Sequence, residues 1–447
     1  MQVNLIKYRA TMINSYFCSK MAWTESISFC LLIFLVLFSG ASCRASYHGD
    51  KVIRVTPATE DQLLFLQDMY ANGNDKIVDF WTDPVGLGFE VDMRITRSCF
   101  WLLDELRQNG LKPIVVIDDV EKCIDDQDGR NRRKRMQEEE FSFSTYHTYD
   151  EIMDWTRSRS EACPPELNCS IEVIGKSYEG RDIIVLKLGV PGRNKTGLFF
   201  DCGMHSREWI SPATCLYLIN AYIEGYRQND GPIIDMLTTW DIHVIPIVNP
   251  DGYNYTWTVN RLWRKTRTPN IGSDCVGTDP NRNWDFHWRA KEDPCQIIYP
   301  GPYPFSEPCV QAVADYLLDR TNVLVYINVH SFGQMWLPSW GYTHELPRDF
   351  DDLERVAQRA ARASRIIFGS EYRVATSGQL LVSNRGVAKD WMKGVAGVKY
   401  TYTLELRDRG QYGFLLPEDQ IIPTGIEIFY AFEALLNEVE EIEHINA

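Results

Sequence analysis

His205, Glu208 and His330 are side chains of the kind that hold a transition metal, and their neighbours in the sequence favour that use. Two imidazoles and one carboxylate make a three-ligand zinc site whose fourth position stays open. Such a site activates water and polarises a carbonyl, which is hydrolytic chemistry. A His-x-x-Glu pair is weak evidence alone, because short motifs arise by chance. Here His205 follows an apolar run that ends near Cys202, and His330 closes another that covers residues 323–329. Ligand side chains at the ends of buried strands converge at one edge of an open α/β sheet, outside the strand termini.

The elements that must carry these residues are legible as patterns. Apolar runs at 183–186, 198–200, 242–248, 323–329 and 400–406 read as strands. Helical spacing covers 211–226, 308–320, 351–368 and 419–439. Near-continuous apolar strands among helices predict a mixed, mostly parallel sheet covered by helices on both faces, an α/β domain over 144–447. Ahead of it, 47–125 alternates differently, with strands near 52–55, 77–81, 89–95 and 113–118 and helices at 60–70 and 99–109. That β-α-β-β-α-β order is the split βαβ arrangement, a small α+β ferredoxin-like domain. Between the two, 126–143 is a polar tract holding Arg130-Asn131-Arg132-Arg133-Lys134-Arg135. A solvated charge run is the ordinary reading of such a tract. Between two domains it reads better as a linker open to a protease.

Six blocks follow one another in order: His205-Ser206-Arg207-Glu208-Trp209, Asn249-Pro250-Asp251-Gly252-Tyr253, Arg261-Leu262-Trp263-Arg264-Lys265, Asp279-Pro280-Asn281-Arg282-Asn283-Trp284, His330-Ser331-Phe332-Gly333-Gln334 and Glu405-Leu406-Arg407-Asp408. In these blocks the chain resembles the zinc metallocarboxypeptidases of the pancreatic A/B type, from about residue 145 to the end. The split βαβ region resembles that family's propeptide. The resemblance implies a carboxypeptidase-like fold and a proenzyme that removes one residue from peptide or protein C-termini. It implies one zinc ion on His205, Glu208 and His330, and Glu405 as general base, able to take a proton from water and pass it to the leaving amine. Arg264 would face the developing oxyanion. Asn281 and Arg282 would grip the terminal carboxylate, for which the guanidinium offers a bidentate fork. Arg207 would serve an upstream subsite. The resemblance also pairs Cys202 with Cys215 and Cys275 with Cys295. Cys163 and Cys169 are close enough in sequence to pair locally, which leaves Cys309 over within 144–447.

The chain departs from the family at one loop. Active members carry a mobile tyrosine before the Asp-Trp pair, here Asp390-Trp391, and counting back places Val382 at that position. Phe332 stands where many relatives have tyrosine. The changes spare the metal, base and clamp residues and bear on turnover and closure. They set up a second reading, a catalytically weak, zinc-containing secreted binding protein that captures C-termini or a partner. The residue before Asp390, at the bottom of the family's side-chain pocket, is Lys389. A buried ammonium favours a carboxylate counter-ion, which predicts release of C-terminal Asp or Glu.

The whole chain is compatible with this. At 447 residues it suggests two or three domains, and 45% hydrophobic with 24% charged residues is a globular composition. A net charge of −15 argues against nucleic acid as a partner. The apolar run at 27–38, followed by Ser39-Gly40-Ala41-Ser42, reads as a signal peptide within 1–43 and predicts secretion with no membrane anchor after its removal. Twelve cysteines suit an oxidising compartment, and Asn168, Asn194 and Asn254 each begin a glycosylation sequon. The chain is expected to work as a monomer, with an activating protease acting at the basic tract.

Overall fold

The first of two sheets is built from β1 (Lys51–Val55), β2 (Val78–Phe80), β3 (Val91–Ile95) and β4 (Ile114–Ile117), the first three of them largely buried. The computed structural model describes residues 44–72, 78–137, 140–376 and 384–445. The four strands lie in the order β2-β3-β1-β4, with every pair antiparallel. Helices Glu60–Asn72 and Leu102–Gln108 close the small core through Leu66, Leu102 and Leu106 against Ile53, Val91 and Met93. This is the expected ferredoxin-like order.

The second sheet has eight strands: β5 (Ser170–Lys176), β6 (Asp182–Leu188), β7 (Thr196–Cys202), β8 (Trp240–Ile245), β9 (Val323–Ser331), β10 (Met335–Pro338), β11 (Arg373–Val374) and β12 (Tyr400–Leu406). Their order is β11-β10-β12-β9-β7-β8-β6-β5. The central β12, β9, β7 and β8 run parallel, while β10 and β6 join them antiparallel. Consecutive residues of β7 explain the unbroken apolar runs. Leu198 and Phe200 enter one core and Phe199 the other, so both faces of the strand need apolar side chains. Helices Tyr149–Glu161, Ile210–Arg227, Phe350–Phe368 and Ile421–Glu443 cover the first face, and Pro308–Leu318 and Ala388–Gly394 the second.

The basic tract is not an extended linker where it begins. Helix Val120–Arg135 runs through it, capped by the Asp119 carboxylate on the Lys122 amide. Arg132, Arg133, Lys134 and Arg135 fill its last turn, where positive charge suits the helix dipole. The face it buries is Val120, Ile124, Gln127 and Asn131, which has helical spacing but only two apolar members. Gln127 donates to the Leu416 carbonyl at 2.9 Å, and Asn131 pairs with both backbone groups of Tyr146. Amides that bond the backbone of another domain give no hydrophobic period, so the helix was invisible as a pattern.

Residues 45–447, the small domain included, form one compact unit. Tyr47, Val52, Trp81 and Ile117 pack with Leu262, Phe332, Phe414 and Leu415 in a shared apolar cluster.

Candidate metal centre and substrate cavity

β7 ends at Cys202, and Gly203 turns the chain with a φ of 63° to start the segment that carries His205 and Glu208. The Cys202–Cys215 disulfide ties the strand end to helix Ile210–Arg227. His330 is the eighth residue of β9. One ligand atom from each of His205, Glu208 and His330 lies within 4.8 Å of the other two, and all three residues are buried. Each histidine turns Nδ1 toward Glu208, at 2.8 Å for His205 and 2.9 Å for His330. Each commits Nε2 to an outer partner, His205 to Asp279 Oδ1 at 3.0 Å and His330 to Asn328 Oδ1. Outer bonds of this kind select the tautomer that leaves the inner nitrogen its lone pair. The donor set and its anchoring therefore fit a zinc ion.

Asp279 also accepts from Arg264 through Nη2 at 3.0 Å and from the Asn281 backbone amide at 2.9 Å. Burial alone would raise the Asp279 carboxyl, but Arg264 and His205 hold it well below the usual carboxylate range. Glu405 stands on β12 directly beside His330 in the parallel register with β9. Burial pushes its carboxyl up to about 8; His330 opposes this shift, and the carboxylates of Glu208 and Asp83 add to it.

Glu405, Arg264, Asn281, Arg282 and Lys389 line a cavity of about 320 Å³ together with the metal ligands. Arg282 donates to the Asn281 carbonyl and to Asn384 Oδ1, each at 2.9 Å. Gly386, with φ 64°, passes so close that an added Cβ would lie 2.4 Å from the Arg282 carbonyl oxygen, so the loop approaches Arg282 this closely only with glycine there. Lys389, in helix Ala388–Gly394, is buried, and its Nζ donates to the Leu337 and Pro338 carbonyls at 3.0 Å each. Burial pulls its ammonium down to about 8, against the neighbouring charges of Asp390 and Glu405. Val382 lies outside the described residues.

Arg207 does not line the cavity. It is buried against the small domain, donating to both Asp79 oxygens at 2.9 and 3.0 Å and to the Phe80 carbonyl at 3.2 Å. Asp83 of the same domain lies 3.7 Å from Arg282, and Trp81 packs on Phe414 and Phe332. The small domain thus roofs the cavity. Cys163–Cys169, Cys202–Cys215 and Cys275–Cys295 all form. Cys309 is a free, buried thiol in the second core, where it packs beside Val310 and Val313 as a small apolar residue. Sequence reasoning missed Asp279 and Asn328 as anchors. Asp279 sat within a quoted block, and only its contacts reveal its part.

Two family descriptions match this chain: zinc carboxypeptidase over residues 152–431 and carboxypeptidase activation peptide over 53–127. The chain belongs to the zinc carboxypeptidase family, as a zinc-dependent peptide hydrolase made as a proenzyme. Carboxypeptidase B of Astacus astacus is 45% identical over 305 residues, covering 67% of this chain and 98% of the relative. Carboxypeptidase A1 of Sus scrofa is 34% identical over 413 residues, covering 91% and 97%. Among solved structures, thrombin activatable fibrinolysis inhibitor matches with a TM-score of 0.79 at 32% identity, over 88% of this chain and 100% of that one.

Proposed function

We propose that the chain is a secreted exopeptidase that releases acidic residues from peptide C-termini, with zinc on His205, Glu208 and His330. The observation that carries the acidic preference is the buried Lys389 ammonium lining the substrate cavity. A substrate Asp or Glu side chain would set a full negative charge directly against it. Arg282, with Asn281 lining the same cavity, suits the terminal carboxylate, which an internal peptide bond lacks. Glu405 takes a proton from the attacking water and returns it to the leaving amine. Arg264, held by Asp279, stabilises the oxyanion of the tetrahedral intermediate. The zinc, when bound, supplies Lewis acidity at the scissile carbonyl.

The roofing domain must leave first, and cleavage in the basic tract around Arg132–Arg135 is the proposed release step. Secretion is supported by the apolar run at 27–38, which lies outside the described residues, and by the three disulfides. Among the described residues no helix is long and apolar enough to cross a membrane.

The test compares kcat/KM on matched peptides ending in Glu, Phe and Arg after tryptic processing, for the unaltered chain and Lys389→Ala. Glu is expected to be preferred, and the preference should fall by about 30-fold or more in the variant, the lower end for removing one partner of a buried charge pair. A wild-type preference for Arg or Phe overturns the acidic reading. Zinc-loaded, processed chain that binds such peptides without turning any over would favour the binding protein instead.

A further inference from the structure

The face of β9 that carries His330 also carries Asn328 and Tyr326, because side chains return to one face of a strand every second residue. β7 runs beside it in parallel, and Asp201 stands opposite Asn328 in register. All four residues are buried. His330 Nε2 bonds Asn328 Oδ1, Asn328 Nδ2 donates to Asp201 Oδ1, and the Tyr326 hydroxyl donates to Asp201 Oδ2 at 2.6 Å. None of these three supporting residues lines the cavity.

The chain of bonds has a direction. An ionised carboxylate only accepts, so Asp201 requires Asn328 to present its NH2 group and turns the amide oxygen toward His330. Asn281 Nδ2 lies 3.2 Å from the same oxygen and 3.2 Å from His330 Nε2; with the proton on Nε2 it donates to the oxygen, which only this orientation of Asn328 offers it. An acceptor facing Nε2 requires the proton there, which leaves the lone pair on Nδ1, the nitrogen 2.9 Å from Glu208. The opposite orientation of Asn328 would put a donor against Nε2 and move the proton to the nitrogen that must hold the metal.

We infer that Asp201 is a positioning residue for the metal centre: through Asn328 it fixes which nitrogen of His330 is free to bind zinc. The inference rests on the assignment of His330 as a ligand. A purely structural Asp201 would knit β7 to β9 and affect melting without a specific effect on metal.

The experiment measures the zinc dissociation constant of the full-length proenzyme by competition with a chelator, with the melting temperature recorded alongside. Asp201→Asn removes the enforced direction, and zinc affinity is expected to drop about 10- to 100-fold, as for loss of other outer partners of metal ligands. The double variant Asp201→Asn, Asn328→Asp restores it, because the new carboxylate at 328 accepts from both Nε2 and the new amide at 201. Its affinity should return to within about threefold of the unaltered chain, a coupling that independent sites do not show. Asp201→Asn that binds zinc as tightly as the unaltered chain overturns the inference. So does a double variant that binds as weakly as the single one, or that fails to fold. If Asp201→Asn itself does not fold, the double variant decides. His330→Ala, measured in parallel, reports on the ligand assignment separately: stoichiometric zinc retained there brings down that assignment and this inference with it.

Discussion

Two polar regions border the same cavity and are built on different terms. On the metal wall, charge meets charge or a fixed dipole at every turn: Glu208 sits between two imidazoles, Asp279 joins His205 to Arg264, and Asn328 backs His330. On the floor, the Lys389 ammonium donates to the carbonyls of Leu337 and Pro338, with the charges of Asp390 and Glu405 in its surroundings. The ionisation of the two regions reflects this. Asp279 is held well below the ordinary carboxylate range by its cations, whereas burial pulls Lys389 down to about 8. A wall arranged this way is complete before substrate arrives and can stay the same for any peptide. On the proposed function, a buried positive charge at the floor favours an acidic side chain over an apolar one.

The comparison breaks most visibly at the wall. His205→Ala is expected to lose its stoichiometric zinc and with it essentially all turnover, while the large core keeps the chain folded; metal analysis of the purified variant checks this. Glu405→Gln should keep the zinc and still lose between about 10² and 10⁴ of kcat, since an amide cannot take the proton. Equal zinc in His205→Ala and the unaltered chain would show that the wall is not a metal site.

The floor gives a smaller, graded effect. With Lys389 near 8, the ammonium is charged below that pH and neutral above it. Preference for Glu over Phe should therefore hold at pH 7 and fall about tenfold by pH 9, following the fraction of charged lysine. A ratio that stays flat across this range would mean the ammonium does not meet the substrate side chain.

The smallest effect lies outside the cavity, in how soon either region becomes accessible. Asn131→Ala leaves the buried N–H and carbonyl of Tyr146 without their partner, a loss of at least about 1 kcal/mol. If cleavage in helix Val120–Arg135 needs local opening, tryptic activation should quicken roughly fivefold. An unchanged rate would place the cut beyond the helix.

What the sequence disclosed and what it hid divide along these lines. His205 and His330 were legible because apolar strands lead straight to them, and the small domain because its strand and helix periods alternate cleanly. β5 was missed, since its side chains are mostly half-exposed and give no clear alternation. The part of helix Val120–Arg135 from residue 126 onward was read as linker because the buried positions there are two amides. The anchors Asp279, Asn328 and Asp201 are ordinary polar residues whose part depends on contacts between distant segments. Lys389 was placed by counting from Asp390 and Trp391, and its lodging beneath two carbonyls of β10 needed the fold.

The apolar cluster shared by the two domains has a consequence for handling and storage. Departure of the small domain takes away Tyr47, Val52, Trp81 and Ile117 and uncovers Leu262, Phe332, Phe414 and Leu415 together beside the cleft. A contiguous apolar surface of this kind is adhesive. The processed enzyme is therefore expected to self-associate more readily than the proenzyme as its concentration rises, which light scattering on the two forms would show.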